Sequence, residues 1–382
     1  MRDDYIAFGR PDFTEAEIEA VARVMRSGWI GMGAETIAFE KELAGYVDVP
    51  EVVTVNSCTS ALFLALLAEG VGAGDEVIVP SLTWCATANA ALYLGATPVF
   101  CDIDYASMCT TTEAVVARLT AQTKAVIIVH YGGYAMDIDA LRAALPGHIA
   151  LIEDAAHAFG AHYPNGKRVG SSGNSVCFSF YANKNLSTAD GGAVALFDAE
   201  KAEHLRCLRM SGMGNNAWSR YTNPSTALVA GLSELGYKMN FTDLQATIGR
   251  VQLQRYDAMA EVRRQIAERY RDRLQTLGLS IPFQAGSFSG NHARHLLVGR
   301  FDPKQTWMAR DELLFALRKR NIGASIHYQP LHTMPLYRRY VSQRLAVTES
   351  LAEQIMTLPI NARMTIDDVD YVCDHLQQLI GH

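Results

Sequence analysis

No apolar run in this 382-residue chain reaches the roughly 18 residues that a membrane-crossing helix needs. Basic residues are in no excess: 34 Lys and Arg stand against 40 Asp and Glu, and the pI is about 6.0. That balance leaves no electrostatic footprint for nucleic acid. Scattered Lys and Arg leave none for an anionic membrane surface. The opening residues, MRDDYIAFGRPDF, are too charged and too broken by Gly and Pro for a secretory leader. The seven cysteines (Cys58, Cys85, Cys101, Cys109, Cys177, Cys207 and Cys373) show no paired metal-ligand spacing. An odd number in apolar runs reads as buried thiols in a reducing compartment, which excludes a disulfide framework and a zinc site. The expected address is the cytoplasm. Internal repeats and low-complexity tracts are also missing.

What is present is enough chain for two or three domains at about 150 residues each. TEAEIEAVARVMRSG, from Thr14, has the period and the Thr and Gly punctuation of a capped amphipathic helix. Short apolar runs then alternate with helical stretches: EVVTVNS, EVIVPS, TPVFCDID, AVIIVHY and HIALIEDA, followed by SVCFSF and GGAVALF. Runs of this length between helices predict a mainly parallel sheet covered on both faces. After about residue 240, TDLQATIGRVQLQRYDAMAEVRRQIAERYRDRLQTLG reads as one long helix. HARHLLVGRFD then reads as a strand, WMARDELLFALRKRN as a helix, and ASIHYQPLH as a strand leaving into a loop. IDDVDYVCDHLQQLIGH reads as a terminal helix. The expected fold is α/β: a large three-layer domain over 1–245, then a connecting helix and a smaller α+β domain over 246–382. The segment NNAWSRYTNPSTALVAG is long and polar, suited to mobility or to packing on a partner.

Four groups of residues carry chemistry. Asp154 ends a strand-like run, where ligands of open α/β sheets bind, and can bond a protonated heterocyclic nitrogen. The same Asp can equally cap the segment after it, while Glu153 faces the other way. Lys184 follows the run ending at Ser179 and Phe180. An amine at a strand exit, partly desolvated, becomes nucleophilic and forms Schiff bases with aldehydes. An exposed loop lysine is the plainer alternative, although Gly191 and Gly192 point to a close backbone approach. Ser57, Thr59 and Ser60 stand where strand gives way to helix, as an anion site or as ordinary caps. Trp84 can stack on a planar ring or pack in a core or interface. Together these are the parts of a pyridoxal 5'-phosphate (PLP) site. His292 and His295 read as strand-lining residues, and Arg263 and Arg264 as a solvated helix face or a helix–helix contact.

An ordered motif series supports this. EVIVPSLTW, VHYGG, IEDAAHAFG, SFYANKNLSTADGG and YKMNFTDLQA resemble the sugar-nucleotide aminotransferases of the DegT and StrS group, which have the aspartate-aminotransferase fold (PLP fold type I). The resemblance runs from SGWIGMG to the C-terminal helix. It implies that Lys184 carries the cofactor and shuttles the proton, and that Asp154 keeps the pyridine nitrogen protonated. It implies His157 close to the ring, Trp84 stacked on it, and Ser179, Cys58 and Thr59 on the phosphate. Asn240 is implied to reach the phosphate of a second subunit, so the enzyme would be a homodimer. Tyr237, Lys238 and His327 are implied to lie near the donor or the sugar nucleotide. Asp190 stands where the family often has Glu, and Tyr181 where it commonly has His. The related dehydratases carry His at the Schiff-base position; Lys184 favours transamination. SLTW and HYGG resemble the branch that aminates C4 of a UDP-linked sugar, with glutamate as donor, whereas the C3 aminases and the 3-amino-5-hydroxybenzoate synthases share much of the pattern.

Overall fold

The computed structural model describes residues 2–213, 232 and 234–381; the segment NNAWSRYTNPSTALVAG lies outside them. The chain opens with α1 (Glu15–Ser27), where Thr14 and Glu17 form a capping box and Gly28, at φ 76°, ends the helix. Then come α2 (Ala34–Val47), β1 (Glu51–Val55), α3 (Cys58–Ala68), β2 (Glu76–Pro80), α4 (Ala86–Tyr93) and β3 (Thr97–Cys101). After α5 (Thr112–Val116) come β4 (Thr123–Val129), α6 (Ile138–Ala144), β5 (Ala150–Asp154), β6 (Ser175–Ser179), β7 (Gly192–Leu196) and α7 (Ala199–Leu208). A 34-residue helix, α8 (Asp243–Thr276), starts at the Thr242 and Gln245 capping box. Beyond it lie β8 (Leu297–Arg300), α9 (Pro303–Thr306), α10 (Arg310–Arg318), α11 (Ala346–Ala352), β9 (Ile355–Leu358) and α12 (Ile366–Ile380).

Among the described residues β1 to β7 form one sheet in the order β1-β7-β6-β5-β4-β2-β3. Only β7 runs against its neighbours, so the other strands all point their carboxyl ends to one edge. Side chains alternate between two buried faces. Val52, Ile78, Val126 and Ile128 pack in one core with Phe39 of α2 and Tyr256 of α8. Val53, Val77, Val79 and Ile127 pack in the other, with Leu62 of α3 and Ala88 of α4. Each such Val, Ile, Leu or Phe contributes about 1.5–3 kcal/mol when fully buried. A one-residue register slip would exchange both faces at once, so the register is strongly specified. The mainly parallel sheet with covered faces is the α/β architecture read from the sequence.

A third core joins the end of α8 to β8, β9, α10 and α12. The N-terminal segment belongs to it: Ile6 is buried there, and its amide donates to the Asn321 carbonyl at 2.9 Å. ASIHYQPLH is not the strand the pattern suggested. Ser325 alone bridges to Thr357, and β8 pairs with β9, the sequence IMTL. The segment is pulled away toward the large sheet, where Leu331 donates to the Ser81 carbonyl at 2.9 Å, and Pro330 has no amide for a ladder. No helix among the described residues is long and apolar enough to cross a membrane.

Candidate active site

The carboxyl ends of β1, β2, β4, β5 and β6 converge on a cavity of about 460 Å³, within the range of small-molecule sites. Its walls include Cys58, Trp84, Asp154, His157, Ser179 and Lys184. Another cavity of about 400 Å³ lies between α2 and α7, but most of its charges are already paired with one another. There Arg209 is bound to Glu40 at 2.5 Å and to the Thr54 carbonyl at 2.6 Å.

Asp154 is the last residue of β5 and is 5% exposed. Its Oδ2 accepts from the Thr87 hydroxyl at 2.8 Å and its Oδ1 from the Ala156 amide at 3.1 Å. Thr87 is itself 2.9 Å from the Thr83 hydroxyl. Burial pushes the Asp154 carboxyl above its ordinary range, opposed by the Thr87 and Ala156 bonds and by the Lys184 charge. A dry carboxylate bonded only by neutral donors favours a cation brought to it. Glu153 points to the opposite face, where His130, Tyr163, Ser172 and Asn174 surround it.

Lys184 sits in the loop between β6 and β7, where its amide donates to the Tyr181 carbonyl at 2.9 Å. The loop is anchored by Asn185, whose side-chain amide donates to the Ala293 carbonyl at 2.7 Å. The residue as a whole is half-buried because its cavity side is open, but protein encloses the amine. That enclosure lowers the ammonium pKa to about 8, against the pull of Cys58 and Asp154. Nζ lies 3.4 Å from His295 Nε2.

His157 accepts the Gly132 amide at Nδ1, 3.3 Å, and meets the Tyr328 hydroxyl at Nε2, 3.0 Å. Its ring lies 5.9 Å from that of Tyr328 at 23°. Trp84, 60% exposed, lines the cavity with its ring 5.8 Å from Tyr328. Ser57 caps α3, accepting the Ser60 amide at 3.1 Å, and Ser60 turns to Asn56 at 2.6 Å. Ser57, Cys58 and Thr59 all line the cavity, and the amides of the first turn have no helical carbonyl to bond. Only glycine fits at 192, because a Cβ there would stand 2.6 Å from the Cys58 nitrogen.

His327 lines the same cavity and bonds Thr357 at 2.8 Å through Nδ1. Tyr237, Lys238 and Asn240 do not line it. Tyr237 packs edge-on against Phe63 at 4.8 Å in a separate shallow hollow. Lys238 is exposed, and Asn240 bonds the Phe241 carbonyl at 3.3 Å. Three contributors escaped the sequence reading: Tyr328, beside the expected His327; Thr87, within ATANA; and His295. Arg263 departs from its reading as well. It is 3% exposed and donates to the Arg294 and Ile360 carbonyls, both at 3.2 Å.

The model of the DegT/DnrJ/EryC1/StrS aminotransferase family matches residues 11–377. The chain belongs to that family. It is 39% identical to the spore coat polysaccharide biosynthesis protein SpsC of Bacillus subtilis (strain 168), over 99% of this chain and 98% of that one. The putative sugar aminotransferase Spr1654 of Streptococcus pneumoniae, in its PMP form, superposes with a TM-score of 0.89 at 30% identity, covering 98% of both chains. DesI, solved in the presence of its TDP-sugar product, gives 0.89 at 28% identity, covering 100% of this chain and 94% of that one.

The protein is thus a PLP-dependent sugar aminotransferase, and the aminotransferase cavity fits that cofactor chemically. It offers an enclosed amine of lowered basicity for an aldehyde and a buried carboxylate short of a cation. A helix start whose first-turn amides lack helical carbonyls, with the Ser57, Cys58 and Thr59 side chains on the cavity, suits a phosphate.

Proposed function

We propose that the aminotransferase moves an amino group from L-glutamate to the keto group of a nucleotide-linked sugar, first among candidates C4 of a UDP-linked 4-keto sugar. The observation that carries the reading is the pairing of Lys184 and Asp154 in one cavity at the carboxyl ends of the parallel strands. Lys184 would hold the cofactor. Asp154 would face its ring nitrogen, His157 and Trp84 its ring, and Ser57, Cys58, Thr59 and Ser179 its phosphate. When bound, PLP supplies an electron sink for the carbon that loses its proton. The Lys184 Nζ, drawn out of water, is the base that takes that proton and gives it back. The Thr87 hydroxyl and the Ala156 amide orient Asp154. His327 and Tyr328 line the wall toward the substrates. Asn240 of the partner subunit would complete the phosphate site, so the working unit is a homodimer. The expected setting is the cytoplasm, and the amino sugar would feed glycan, lipopolysaccharide or natural-product synthesis.

SLTW and HYGG support the UDP and C4 assignment, whereas the likeness to DesI favours a TDP-sugar. The experiment supplies the pyridoxamine-loaded enzyme with UDP-, TDP- and GDP-linked keto sugars in turn and follows the return of pyridoxal absorbance. Fast return with the UDP-linked 4-keto sugar is expected. Return with the TDP sugar alone would move the substrate to that class, and return with none would end the assignment.

A further inference from the structure

His295 precedes β8 in a part of the chain remote from the large sheet, yet its imidazole forms a wall beside Lys184. Its Nε2 stands 3.4 Å from Nζ, at the long end of hydrogen bonding. Which nitrogen carries the proton follows from the neighbours. Asn185 Nδ2 donates to the Ala293 carbonyl at 2.7 Å, so Asn185 Oδ1 is the atom turned to His295 Nδ1, at 3.3 Å. A carbonyl oxygen can only accept, so Nδ1 carries the hydrogen. Nε2 is left with its lone pair aimed at the lysine.

The surroundings keep that imidazole uncharged. His295 is 5% exposed, and desolvation holds its pKa well below the usual value, with Lys184, His157, Arg263 and His327 adding to the effect. Arg263 is a buried cation that forms no ion pair among the described residues. It donates to the carbonyl of Arg294, the residue next to His295. A fixed positive charge there disfavours a second one on the ring. The groups facing Lys184 itself are Asp154 from β5, Cys58 from α3, His157 from the loop after β5, His327 from the loop after α10, and His295.

We propose that His295 is a positioning residue: a neutral imidazole, held in one tautomer by Asn185, whose Nε2 receives the Lys184 amine whenever that amine is free of the cofactor. The inference rests on the assignment of Lys184 above. While Lys184 is linked to the cofactor its nitrogen has little to give to Nε2. Once released, the amine donates one N–H to Nε2, which leaves its lone pair for the substrate proton. After taking that proton, the ammonium donates more strongly to the same atom. His295 therefore stabilises the protonated lysine and fixes the direction from which Nζ works. Protons balance, since the ring neither gains nor loses one.

The test labels the pyridoxamine-loaded enzyme with a brief pulse of acetic anhydride across about pH 6 to 10 and quantifies the Lys184 peptide by mass spectrometry. Wild-type labelling should have its midpoint near 8. His295→Phe removes the acceptor and keeps the ring, so the midpoint should fall by about one pH unit, with kcat reduced more than KM is changed. His295→Gln, whose amide oxygen can stand near the place of Nε2, should restore much of the midpoint. Asn185→Leu should lower it through loss of the tautomer lock, and serves if the Phe variant does not fold. An unshifted midpoint in both His295→Phe and Asn185→Leu would overturn the inference. Equal labelling of Lys184 in the pyridoxal- and pyridoxamine-loaded wild type would instead overturn the assignment of Lys184, and this inference with it.

Discussion

The role proposed for Lys184 depends on its surroundings. An ordinary lysine is less than about a thousandth uncharged at pH 7. Enclosure of the amine lowers its pKa to about 8, which leaves about a tenth in the base form at that pH. A base must be uncharged to take a proton, so the single-turnover rate of the pyridoxamine form should rise with pH and level off above about 8. Stopped-flow absorbance measures this, and a midpoint near 10 would mean that the amine is not enclosed. Lys184→Ala removes the proposed base altogether and should cut turnover by about 10²–10⁴-fold or more while circular dichroism stays unchanged. Turnover within tenfold of wild type would place the base elsewhere.

Neighbouring residues of β5 serve opposite ends because a strand alternates its faces. Asp154 looks into the cavity and gains nothing from burial; its raised pKa means that folding works against its charge. Asp154→Asn should therefore leave stability unchanged or slightly improved at neutral pH while activity falls strongly. Glu153 looks into the opposite core, where four side chains bond it and its pKa is lowered in spite of desolvation. A depressed folded-state pKa contributes stability above the unfolded value of about 4.3, and that stability is lost as pH falls through the folded value. Glu153→Ala should cost about 3–5 kcal/mol in urea titrations and leave activity per folded molecule nearly intact. The reverse pattern, with Asp154→Asn unfolding the protein and Glu153→Ala silencing it, would reject this division.

Asn240 lies outside the cavity of its own chain, and the proposal that it completes the site of a second subunit is open to a direct test. Lys184→Ala and Asn240→Asp, each inactive alone, test it when the two are unfolded, mixed and refolded together. In a shared site, half of the dimers are mixed and each has one site with both native residues. About a quarter of wild-type activity should then return. If Asn240 served its own subunit, mixing would restore nothing. The reach of the fold shows within one chain as well: Phe8, close to the Ile6 anchor of the third core, lies 5.0 Å from the His327 ring.

Much of this was local and therefore legible in the chain. Thr14 and Thr242 announce their helices through contacts three residues away. Runs such as AVIIV must lie between two covered faces because both of their sides are apolar. Asp154 and Lys184 stand at strand exits, and strand exits of a parallel sheet gather at one edge. The remaining contributors are brought in over long separations. His295 is 111 positions from Lys184, and Tyr328 is 171 from His157. No periodicity records such meetings, because they depend on how one packed core is set against another. ASIHYQPLH misled for the same reason: its apolar pattern suits a strand, and its hydrogen bonds were claimed elsewhere. The linear order of residues thus determined the sheet, the caps and the chemistry at the strand ends. Docking of the C-terminal part onto that edge alone decided which histidine stands beside the lysine, since that contact joins cores that each satisfy their own pattern.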